Sequence, residues 1–104
     1  MTWIVLVLSG VLEAVWATAL GRSEGLSKLG PSIVFGITVV LSMLGLGFAM
    51  RTLPTGTAYA IWTGIGASLT VAYAMATGTE AVSLLKILLI MGIVGCVIGL
   101  KLLH

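Results

Sequence analysis

Long apolar stretches broken by short polar clusters give this sequence its pattern. Helical segments are predicted at about Trp3–Leu20, Ser32–Met50, Thr57–Met75 and Leu84–Leu102, each near the roughly 20 residues that cross a bilayer core. The interruptions carry turn chemistry. Gly21-Arg22-Ser23-Glu24-Gly25 leads to Pro31, Arg51-Thr52-Leu53-Pro54 forms a second turn, and Thr77-Gly78-Thr79-Glu80 a third. Short turns make neighbouring helices antiparallel. The pattern predicts residues 1–104 as a single all-α membrane domain of four transmembrane helices.

Composition makes lipid the expected solvent. Of 104 residues, 60% are hydrophobic and 8% charged, against about a quarter charged in a soluble domain. So small a chain could not enclose that much apolar surface in water. The five basic residues are scattered singly, which argues against nucleic acid as a partner. Cys96 has no second thiol, and neither a paired-cysteine nor a His-rich site is present, so no metal or other cofactor is expected. Ala17-Thr18-Ala19 has the small-x-small form of a signal cleavage site, but no basic residue precedes the apolar run and Glu13 interrupts it, so the segment is expected to be mature structure.

On an even-span arrangement, the face with the termini carries Arg51 and Lys101, and the other carries Arg22, Lys28 and Lys86. A bias of two against three is weak. It predicts insertion in both orientations and pairing with a second, inverted copy as an antiparallel homodimer, recreating the inverted symmetry of larger transporters. Gly92, Gly95 and Gly99 include a small-x-x-x-small pair suited to close packing, either between copies or within one.

Glu13 is the one ionisable group well inside a span, and such a group is a functional-site hypothesis by default. Lipid penalises its ionised form, and either a proton or a bound cation removes that penalty. The two would therefore compete for one carboxyl, which is exchange in outline. Alternatively, a protonated carboxyl bonds a neighbouring helix. Ser9, Gly10, Trp16 and Ala17 lie about one turn away. Gly10 could leave room for substrate or for another helix. Trp16 could wall a pocket and orient the acid through its indole N–H, or face lipid. Tyr59 and Trp62 share a face from which both rings could meet a cation. Gly64 and Gly66 permit a bend or close packing. Ser42 could bond Glu13 or its own helix. Gly45-Leu46-Gly47 and Gly64-Ile65-Gly66 lack the rest of a nucleotide-loop pattern, and Glu13 has no catalytic companion, so an enzyme is not expected.

Three stretches carry a likeness along essentially the whole chain: Gly10-Val11-Leu12-Glu13-Ala14-Val15-Trp16, Gly30-Pro31-Ser32, and Leu53-Pro54-Thr55-Gly56-Thr57-Ala58-Tyr59-Ala60-Ile61-Trp62-Thr63-Gly64-Ile65-Gly66. In them the sequence resembles the small multidrug resistance family, and within it the guanidinium exporters. Arg22 stands where related chains commonly have lysine, and Glu80-Ala81 replaces a frequent acidic-proline turn. The resemblance implies an antiparallel dimer in the bacterial inner membrane, with both copies of Glu13 in one central pocket that binds protons and substrate alternately. It also implies substrate-pocket roles for Tyr59 and Trp62, and an arrangement of Gly10, Trp16 and Ser42 in which indole and hydroxyl orient the acid. Protons would be the coupling ion and guanidinium or a small guanidinyl cation the substrate. A broad exporter of quaternary ammonium cations and a non-transporting membrane subunit remain alternative readings.

Overall fold

A computed structural model describes residues 2–103. Four helices follow one another: α1 (Thr2–Arg22), α2 (Leu29–Ala49), α3 (Thr55–Ala76) and α4 (Leu84–Leu103). The chain is a four-helix membrane protein. By length and composition α1, α2 and α4 are each apolar enough to cross a bilayer, while the 22-residue α3 is diluted by threonine, serine and glycine.

The helix ends lie within three residues of the sequence expectations, shifted for local reasons. Pro31 falls inside the first turn of α2, where its missing N–H has no intrahelical acceptor to lose; the first bond across it runs from Ser32 N to the Lys28 carbonyl at 3.1 Å. Pro54 is the N-cap of α3, and its carbonyl accepts the Ala58 N–H at 2.9 Å. Between α1 and α2 the chain turns on left-handed residues, Glu24 (φ 50°), Gly25 (φ 74°) and Leu26 (φ 70°). Buried Ser23 braces this turn: its hydroxyl donates to the Leu20 carbonyl at 2.7 Å and accepts the Leu26 N–H at 2.9 Å.

α1 is the central helix, packed on α2 along one flank and on α3 along the other, whereas α4 packs on α3 and reaches α1 through Lys101 over the Trp3 ring. The chain forms a slab of 40 × 33 × 18 Å, less than two helix diameters thick in its shortest dimension. Its core, Leu6, Leu46, Ala49, Leu53, Ala58, Ile61 and Trp62, gathers at the end where α1 begins, α2 ends and α3 begins. No residue of α4 is buried.

Three contacts between α1 and its neighbours depend on glycine, one of them, at Gly66, belonging to the site described below. A Cβ on Gly45 would overlap the Ser9 hydroxyl, and one on Gly10 would stand 2.9 Å from the Ile65 Cβ. Gly10 is thus the point where α1 and α3 approach, occupied by a helix rather than left open for substrate. Gly64 has the same role between α3 and α4, where an added Cβ would lie 2.6 Å from Val97 Cγ2 and 3.3 Å from Ile93 Cγ2. By contrast, Gly92, Gly95 and Gly99 face open space on the bare side of α4, so they do not mediate packing within the protomer.

Candidate functional site

The centre of α1 carries the site. Glu13 lies near its midpoint, with its carboxyl laid against α3 at Gly66, where a Cβ would overlap the carboxyl group. α3 runs helical through both Gly64 and Gly66; their lack of a side chain admits α4 and Glu13 respectively. Oε1 of Glu13 is buried with no hydrogen-bond partner in the protomer, an arrangement proteins rarely tolerate without a ligand or a further partner.

Three rings follow one another from α1 to α3. Trp16 follows Glu13 by about one turn, its ring 6.4 Å from that of Trp62, which in turn lies 5.8 Å from the ring of Tyr59. Both pairs are tilted by less than 40°, so the rings form a continuous wall linking α1 and α3. Phe35 of α2 extends it, edge-on to Trp16 at 6.0 Å. Trp62 is buried and Tyr59 exposed, which leaves the wall open at the tyrosine.

Trp62 is fixed by a relay through α3, α2 and α1. Its Nε1–H donates to the Ser42 hydroxyl at 3.1 Å, and that hydroxyl donates to the Ser9 carbonyl at 2.7 Å. Ser42, fully buried, therefore bonds neither Glu13 nor its own helix but ties the α1 turn preceding the acid to the α3 indole. The Ser9 hydroxyl donates to its own backbone at Val5, 2.7 Å away. The Trp16 indole N–H is buried and unbonded, so within one protomer it does not orient Glu13 by a hydrogen bond.

Thr63 adds another uncommitted group. It lies on the α3 face of Tyr59 and Gly66, four residues after one and three before the other, and its buried hydroxyl has no partner. A carboxylate oxygen, an indole N–H and a hydroxyl thus remain free around the middle of the bundle. The carboxylate oxygen and the hydroxyl could accept N–H groups from a planar or compact cation, whereas the indole N–H, a donor only, is left for an acceptor such as a carboxylate oxygen.

Sequence reasoning named Glu13, Trp16, Ser42, Tyr59 and Trp62, and the relay and the ring wall join the last four. It missed Phe35, Gly45 and Thr63. Phe35 had a signal, since it precedes Ser42 by seven residues and so shares its face of α2. A helical threonine can bond its own backbone, as Thr70 does at 2.7 Å to the Gly66 carbonyl, so its type alone gives no signal; Thr63 makes no such bond.

Fold and site together define a small multi-pass membrane protein with a single carboxylate at mid-span and an aromatic wall joining the two helices that meet there. Comparison with known sequences gives the family: residues 1–94 match the Small Multidrug Resistance protein family, to which the chain belongs. Similar curated proteins include the guanidinium exporters of Salmonella typhimurium, 47% identical over 98% of this chain and 97% of the relative, and Yersinia pseudotuberculosis, 46% identical over 98% of each. The guanidinium exporter of Proteus vulgaris is 44% identical over the same shares of both chains as the Yersinia protein.

Proposed function

We propose that this transporter exports guanidinium or a small guanidinyl cation across the bacterial inner membrane in exchange for protons, working as an antiparallel homodimer. The observation that carries the reading is the mid-span Glu13 carboxyl, whose Oε1 is buried without a partner. The names of the similar proteins supply the substrate class.

Guanidinium is planar and delocalised, and its N–H groups pair with carboxylate oxygens in a fixed geometry. Glu13 binds it through such a pair, while Tyr59, Trp62 and Trp16 offer ring faces to the delocalised charge. The free Thr63 hydroxyl can accept a further N–H. When the cation leaves, a proton takes its place on the carboxyl, so the empty site returns neutral and coupling follows from sharing one group.

One protomer is too thin to surround the ion, and two features support an inverted second copy. The slab is only 18 Å in its shortest dimension, and the Gly92, Gly95 and Gly99 side of α4 is unoccupied. Inverted copies with unlike conformations would exchange shapes when the pocket changes sides, leaving an equivalent structure that faces the other way.

The test is guanidinium uptake into vesicles that hold only this purified protein, driven by an imposed proton gradient, with a bulky quaternary ammonium cation as competitor. Uptake with weak competition is expected. Strong competition would replace the reading with a broad cation exporter. Absence of uptake by folded, reconstituted protein would favour a chain that needs a partner or does not transport.

A further inference from the structure

A second concavity lies on the opposite side of α1 from Glu13. Val11, Val15, Thr18 and Arg22 recur at helical spacing, about 140–200° around the axis from Glu13 at 100° per residue, and Ala14 and Ala19, about 100° and 240° around, form the groove's edges on α1. With Pro31 and Val34 of α2 and Leu69 and Tyr73 of α3, they line an open groove of about 550 Å³. Its wall is apolar except at the Thr18 hydroxyl and at one end, where Arg22 sits in the last turn of α1. The guanidinium lies over the Tyr73 ring, 5.6 Å from its centroid, with Nη2 3.5 Å from the tyrosine hydroxyl.

Charge and dimension decide what fits. Of the other cations on this face of the membrane, Lys28 pairs with Glu24 at 3.2 Å and Lys86 with Glu80 at 3.4 Å. Arg22 has no carboxylate partner among the described residues, so its fork remains available to an anion. The groove runs from Arg22 to Val11, eleven residues along α1, which is roughly 16 Å at helical rise and close to half of a ~30 Å hydrocarbon core. An apolar furrow one leaflet deep, with an arginine at its polar end, matches one acyl chain and the phosphate above it.

We propose that this groove is a site for an anionic phospholipid, with an acyl chain lying along Val11, Val15, Val34 and Leu69 and the headgroup phosphate held by Arg22. Tyr73 positions the guanidinium at the mouth. Because α1 also carries Glu13 on its other side, the lipid rests on the helix that bears the exchange site without entering that site.

Native mass spectrometry of the purified full chain tests this, using phosphatidylglycerol and phosphatidylcholine with identical acyl chains. The protein is expected to retain phosphatidylglycerol at least several-fold better. Arg22→Gln should bring it down to the phosphatidylcholine level, and Arg22→Lys should retain part of the preference, since charge survives without the fork. Val15→Trp should fill the groove and reduce retention of both lipids, with guanidinium binding unchanged as the sign of an intact fold. Equal retention of the two lipids by the unaltered protein would overturn the proposal. Full phosphatidylglycerol retention by Arg22→Gln would do so too, and retention unaffected by Val15→Trp would mean that no chain occupies the groove. If oxidation of Val15→Cys in a Cys96→Ser background links two chains in bilayers, a second copy covers the groove and the lipid assignment fails.

Discussion

Removing the Ser42 hydroxyl should loosen the bundle by a calculable amount. In Ser42→Ala the Trp62 N–H, on a side chain only 4% exposed, loses its acceptor, while the Ser9 carbonyl keeps its helical amide. An orphaned buried donor costs about 1–3 kcal/mol in water-soluble proteins, whereas polar contacts between membrane helices average about 0.6 kcal/mol and reach about 1.7. The membrane scale applies because the unfolded chain also finds partners, so a loss of about 1 kcal/mol is expected. Reversible unfolding in mixed micelles, followed by circular dichroism, measures it. Trp62→Phe removes the donor, and in that background Ser42→Ala should lose at least half of its effect. Equal costs in both backgrounds would refute the claim that the indole bond is what Ser42 contributes.

Other substitutions probe the close contacts. Gly10→Ala sets a Cβ against the Ile65 Cβ, which is attached to backbone and cannot swing away, and the same unfolding assay should show a loss of about 1–3 kcal/mol. Gly66→Ala displaces the flexible Glu13 carboxyl instead; guanidinium affinity measured by calorimetry should fall by roughly tenfold, equivalent to about 1.4 kcal/mol, with a smaller change in stability. Leu26→Gly relieves a side chain held at φ 70° and should raise the unfolding midpoint, the gain staying below about 1 kcal/mol because glycine also frees the unfolded chain.

The architecture was legible because lipid imposes long apolar helices, and because Pro31, Pro54 and the Gly-rich turns mark their ends within a few residues. Glu13 was legible for the same reason, as a carboxylate in the middle of a span. What spacing along one helix could not disclose was contact between helices. Gly10 has the same sequence signature whether it makes room for a ligand or for Ile65, and only the crossing of α1 with α3 decides. Ser42 has two available acceptors on sequence grounds, its own helix and Glu13; the depth at which α2 meets α1 selects neither, but the Ser9 carbonyl. The isolation of α4 was equally hidden, since its apolar face and glycines suit packing inside a protomer as well as outside it.

Competition between proton and cation for Glu13 is the centre of the account, and proton release on binding measures it directly. Guanidinium is added to the purified protein in weakly buffered detergent solution, and the pH change is recorded for the unaltered chain and for Glu13→Gln. The account predicts proton release that saturates with guanidinium for the unaltered chain and none for the variant. Saturable binding without proton release, or equal release from Glu13→Gln, would contradict it.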